Sequence, residues 1–260
     1  MITALMSGEL DVVANAGSAM RVASPGAPVK AIFFPFYKST FVFVSAPEIK
    51  KVADLKGKIV GVSAAGNSTQ IAATMVLQQN GVNPDRDVTF LAVGGGDTSV
   101  ASLQAGLLQA MTVNPDMAFL MKKSGLNELV LLADMAPWPW GGFASSDAKL
   151  TQERDKVKRW TRGMVKAMLF MLNKKEETIR IAMQEFGYPR DVTEAALAVS
   201  VKAIDPKNIG GADEETLRQN FDLTIAQPLK IKEPLPIAKL VDFSVLRAAQ
   251  KELGLFAGSK

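Results

Sequence analysis

The sequence predicts an α/β protein: a mostly parallel sheet coated by helices on both faces, followed by a helical tail. Three observations carry this. Across residues 58–133, short apolar runs alternate with helical patterns over short connections, as in a parallel sheet with crossover helices. From Thr151 onward, apolar residues recur at helical spacing, the mark of amphipathic helices. The 260 residues, 48% hydrophobic and 22% charged, suffice for two modest cores.

The elements follow in order. Ile2, Leu5 and Met6 form the apolar face of a short helix that Gly8 stops, and residues 10–14 form a short buried strand. An α/β sheet normally opens on a strand, so the sequence is expected either to lack an element upstream of Met1 or to start at Met1 with a trimmed fold. The turn Ser24-Pro25-Gly26 precedes two runs, 31–36 and 41–44, rich in β-branched and aromatic residues as strands are. Next come a strand at 58–63, a loop at 64–68 and a helix at 69–80, whose face is Ile71, Ala72, Met75, Val76 and Gln79, closed by Gly81. A second unit repeats the plan: strand 88–93, the loop Gly94-Gly95-Gly96-Asp97, helix 98–106 and strand 108–113. Asn114-Pro115-Asp116 starts another helix, with proline in the first turn and Asn or Asp at the cap. Strand 129–133 follows. In the tail, Val157, Trp160, Met164, Ala167, Met168 and Met171 share helical spacing, as do Ile179, Ala182, Met183 and Phe186. Helical faces recur at Leu217, Phe221 and Ile225, and at Leu246, Ala249 and Leu253. The tail has no strand of its own and must pack on something already built.

Composition narrows the chemistry. Cysteine and histidine are both absent, which removes thiolate and imidazole metal ligands, cysteine nucleophiles and the base of a Ser-His-Asp arrangement. No catalytic residue, metal or cofactor is expected. The lack of cysteine suits an oxidising compartment. The net charge of +4 is spread out, and its densest cluster, Arg154 to Arg162, alternates with acids and apolar residues; a solvated helix face, not a nucleic-acid surface, is expected. No stretch approaches the roughly 20 apolar residues of a membrane span, and the first residues lack the basic and apolar regions of an export signal.

Candidate ligand contacts fall at the carboxyl ends of strands, where open α/β sheets bind. Gly61 to Ser68 nearly spells a phosphate-binding loop, but Asn67 stands where the lysine belongs, which argues against nucleotide hydrolysis. Free N–H groups and the helix dipole around Asn67, Ser68 and Thr69 still favour a small anion; either Asn67 or Ser68 alone is equally well read as a helix cap. Asn15, Gly17 and Ser18, and Asn114 before Pro115, have the same character. Trp138-Pro139-Trp140-Gly141-Gly142 can stack on a ligand and let domains move, or fill a seam with its tryptophans. Gly94 to Asp97 lacks dinucleotide spacing, and Gly61-Val62-Ser63-Ala64-Ala65 misses the esterase elbow.

The segments ALMSGELDVV, DLKGKIVGVSAAGNSTQ and VGGGDTSVASLQAGLLQAMTVNPD resemble the sulfonate, nitrate and taurine type of ABC-transporter substrate-binding protein, a family related to the thiamine-pyrimidine synthases. The resemblance covers residues 1 to about 145 well and the tail loosely. It implies a two-lobed periplasmic-binding-protein type II fold, with residues 1–45 plus 135–260 as lobe 1 and 46–134 as lobe 2. It also implies an exported, periplasmic monomer that closes on a small anionic solute and delivers it to an ABC permease of the inner membrane, without chemistry. Carried over position by position, the ligand loops are Asn15 to Ser18, Asn67 to Thr69 and Asn114, with Trp140 near the return to lobe 1. Members of the family carry an export signal and a first strand before the G-E-L-D segment, so the chain is expected to be N-terminally truncated. The alternatives are an enzyme of the thiamine-pyrimidine synthase type, which would need the histidine this sequence lacks, and a non-exported sensor or remnant.

Overall fold

The computed structural model describes residues 1–94, 97–139, 141–227, 230–231 and 235–255. The chain divides into two compact units. Unit 1 contains Met1–Ser39, Pro137–Thr178 and Val201–Lys260; unit 2 contains Thr40–Ala136 and Ile179–Ser200. The second unit thus extends past the expected 46–134 by recruiting a stretch of the tail. Ile179, Val192 and Leu197 of that stretch are buried, and its Asp191 meets Lys123 at 2.7 Å on the surface.

Unit 2 is built on β2 (Val42–Ser45), β3 (Lys58–Val62), β4 (Val88–Ala92), β5 (Ala110–Val113) and β6 (Asn127–Leu131), in the order β4-β3-β5-β2-β6. Four strands run the same way and β2 runs against them, so the sheet is mostly parallel, as the alternation predicts. Helices α3 (Ser68–Gln79), α4 (Asp97–Gln104) and α5 (Pro115–Lys123) link the parallel strands. From β3 the chain steps to one side, to β4; from β5 it steps to the other, over β2 to β6. Right-handed crossovers therefore put α3 on one face and α5 on the other. Packing agrees: Ala118 and Met121 of α5 and Leu103 of α4 share a cluster with Val42, Val44, Met111 and Val113, while α3 packs over β5 from the opposite face.

Unit 1 holds α1 (Ile2–Met6), α2 (Ala16–Ala23), β1 (Val29–Phe33), β7 (Phe143–Ser146), α6 (Asp147–Gln152), α7 (Arg154–Asn173), α10 (Glu214–Phe221) and α11 (Ser244–Glu252). Helices α8 (Lys175–Phe186) and α9 (Arg190–Ala203) are each shared between the units. Strands β1 and β7 pair antiparallel, flanked by single bridges from Val13 to Ala144 and from Ala31 to Val241. The strand expected at 10–14 is therefore one bridge, because Leu10 points outward and Asp11 turns into an ion cluster. Leu5 is the buried anchor of α1, whereas Met6, placed on its inner face from sequence, is exposed. The last strand of unit 2 begins and ends two residues before the expected 129–133, giving way to a 3-10 turn at Leu132–Asp134. No described helix is long and apolar enough to cross a membrane.

Candidate functional site

In an open α/β sheet the crevice for a ligand opens where neighbouring strands send their chains to opposite sides. In unit 2 that point lies between β3 and β5, and the loops leaving their carboxyl ends carry Asn67, Ser68 and Thr69 on one side and Asn114 on the other. The fold thus brings two of the sequence-predicted groups to one edge of one sheet.

The β3 loop is tightly organised. Asn67 Oδ1 accepts from the Thr69 N–H at 3.1 Å, the Gln70 N–H at 3.3 Å and the Thr69 hydroxyl at 2.7 Å. Its Nδ2 donates to Ser63 Oγ. The Ser63 N–H donates to Thr69 Oγ1 at 2.9 Å, and the Gly66 N–H to Gln70 Oε1 at 2.6 Å. Asn67 is therefore the cap of α3, and two first-turn donors an anion would use are already engaged by it. Among the described residues the Ser68 hydroxyl has no hydrogen-bond partner. Asn114 is exposed and its side chain makes no capping bond to α5.

Electrostatics separate the two ends. The first turn of α3 carries no acid, whereas that of α5 carries Asp116; the α3 end favours an anion through its dipole and the α5 end partly opposes one. Behind this edge lies Thr112, which sequence reasoning missed. It alternates with Met111 and Val113 on β5 and so faces α3, is buried, and its Oγ1 has no hydrogen-bond partner. Ser63 was likewise not singled out as part of the capping ring; its position at the strand end was the available signal.

In unit 1, Asn15 caps α2 by accepting from the Ser18 N–H at 3.3 Å. Gly17 and Ser18 are exposed, and the first turn carries no acid. Trp138 is buried, which removes it as a stacking surface. Trp140 lies outside the described residues, as do Gly95 and Gly96 of the glycine-rich loop. A cavity of about 590 Å³ between α10 and residues 235–243 is lined by apolar side chains and the Glu214–Arg218 ion pair; none of the sequence-predicted contacts lines it. Among the described residues, no three acids, histidines or cysteines gather as metal ligands.

Comparison with known proteins places these features in context. A sequence profile described as NMT1/THI5 like matches residues 1–178. No curated protein sequence matches significantly. Among solved structures, the chain is similar to a putative sulfonate ABC transporter's periplasmic sulfonate-binding protein SsuA from Methylobacillus flagellatus KT, with a TM-score of 0.76, 15% identity, and coverage of 98% of this chain and 79% of that one. It is similar to the zinc-bound ligand-binding component of an ABC-type import system from Staphylococcus aureus, with a TM-score of 0.75, 16% identity, and coverage of 95% and 84%. The desulfurization enzyme DSZB shares the fold at a TM-score of 0.69 and 12% identity, with coverage of 93% and 85%.

Proposed function

The chain belongs to the NMT1/THI5-like family, and on that premise we propose that it is the solute-binding component of an ABC importer. It takes a small anionic solute of the sulfonate, nitrate or carboxylate kind and hands it to an inner-membrane permease, acting in the periplasm as a monomer. The observation that carries this reading is the edge of unit 2, where Asn67, Ser68, Thr69 and Asn114 flank the point between β3 and β5 at which the crossovers diverge. Within unit 1, Asn15, Gly17 and Ser18 at the start of α2 offer solute contacts of the same chemical kind. The dipole of α3, whose first turn carries no acid, and the Ser68 hydroxyl and Asn114 amide beside it suit an anionic head group. With neither histidine nor cysteine in the chain, the solute is held and released without bond chemistry.

A thermal-shift screen of the purified protein against small sulfonates, carboxylates, nitrate and pyrimidines tests this. One anion class is expected to raise the melting temperature. Ser68→Ala, which removes a hydroxyl without a partner, is expected to leave the solute-free melting temperature unchanged and to shrink that rise. A cooperatively melting protein that responds to nothing in the panel overturns the reading.

A further inference from the structure

The segment from Trp138 to Gly142 reads from sequence as a stacking surface, a joint that lets domains move, or a seam filled by its tryptophans. Trp138 is buried, and the Pro139 carbonyl accepts from the buried Asn220 amide at 3.5 Å. Gly141, at φ +69°, sits where a Cβ would stand 3.3 Å from the Pro35 ring. Gly142 is different: its φ is not positive, so backbone conformation does not demand glycine. Space does. A Cβ there would stand 2.5 Å from Ala16 Cβ and 2.5 Å from Phe34 Cε1, closer than real side chains pack.

That close approach has a purpose in the geometry. The Gly142 carbonyl accepts the Ala16 N–H at 2.9 Å, at the first residue of α2 and directly after the capping Asn15. The contact continues along β7. Ala144 and Val13 exchange backbone bonds of 3.0 and 2.9 Å, and the Ser145 hydroxyl donates to the Asp11 carbonyl at 2.7 Å. Residues 11–16 are thereby laid against residues 142–145, and the bond from Ala16 is the last one before the chain turns into α2.

We propose that Gly142 is a positioning residue for the solute: its missing side chain lets its carbonyl hold the Ala16 N–H, and that bond sets the turn that presents Asn15, Gly17 and Ser18. The inference rests on the reading of those three residues as solute contacts. It assigns the glycine to a rigid clamp within unit 1.

Amide hydrogen exchange by NMR on the full chain, joined to binding of ethanesulfonate, nitrate and acetate, tests it. In the wild type the Ala16 amide is expected to be protected like those of Val13 and Ala144. Gly142→Ala is expected to speed exchange at Ala16 at least tenfold, shift the resonances of residues 15–18 and weaken binding of the bound probe at least tenfold. The Ala31 amide, bonded to the Leu240 carbonyl at 2.9 Å, should keep its protection. Adding Ala16→Gly and Phe34→Val, which takes away the Ala16 Cβ and the Phe34 Cδ1 and Cε1 that the new methyl meets, should restore protection and affinity. An unprotected Ala16 amide in the wild type overturns the proposal, as does Gly142→Ala with unchanged exchange there. If Gly142→Ala alone does not fold, wild-type protection and the triple variant decide, and a triple variant that folds without recovering affinity counts against it. A wild type that binds none of the probes while Ala16 behaves as expected sinks the solute reading instead, and leaves the clamp standing.

Discussion

Two residues show how local chemistry is spent on position. Thr112 is buried in an all-buried strand with a hydroxyl that has no partner, an arrangement that costs about 1–3 kcal/mol. Valine has nearly the same shape without that cost. Thr112→Val is therefore expected to raise the denaturant midpoint by the equivalent of about 1 kcal/mol; a lowered midpoint would show that the hydroxyl is satisfied in solution. Asp11 anchors the N-terminal segment to two helices. Its carboxylate meets Lys156 at 2.7 Å and Lys149 at 2.9 Å, and Glu153 meets both lysines. The hydrogen bonds from Lys156 and then Lys149 hold Asp11 below its ordinary value of 3.8, and Lys149 then Lys156 lower Glu153. A carboxylate with a depressed folded pKa stabilises the fold above its unfolded pKa, and that stability is lost as pH falls through the folded pKa. Melting temperature followed from pH 6 downward should therefore fall more steeply below about pH 4 in the wild type than in Asp11→Asn. Equal slopes would show that the cluster is screened away.

At the scale of elements, α3 shows why a cap and a ligand contact must be told apart. Asn67 Oδ1 engages the first-turn donors while Nδ2 holds Ser63. Asn67→Asp keeps the acceptor and puts a negative charge at the positive end of the helix, so the solute-free protein should lose less than about 1 kcal/mol. The same charge repels an anion, so affinity for an anionic solute should drop at least tenfold, measured by titration calorimetry. Unchanged affinity would place the solute away from α3. Elements with strong periodicity were legible in the sequence: the observed bounds of β3, β4 and α3 lie within a residue of those expected. The misses have physical causes. Phe143–Ser146 has no β-branched residue, and its strand character comes from its neighbours β1 and Val13. In α9, four alanines and Ser200 blur the helical face, and only Val192 and Leu197 among its large apolar residues are well buried.

At the scale of the molecule, the chain crosses between its two units four times, the last two within the helical tail. A solute at 100 times its Kd stabilises the binding-competent fold by about 2.7 kcal/mol. For a chain of this size that corresponds to a rise in melting temperature of about 2–4 °C per kcal/mol, well within the reach of the screen.

The sequence by itself determined the α/β class, the order of most elements, the exclusion of cysteine and histidine chemistry, and the family, because periodicity, composition and local motifs are properties of short stretches. Only the tertiary structure decided that 179–200 joins the middle of the chain, that the loops after β3 and β5 flank one divergence point, and that Gly142 meets Ala16. Each of these depends on residues from about 50 to over 120 positions apart, brought together by burial and strand pairing that no local pattern encodes.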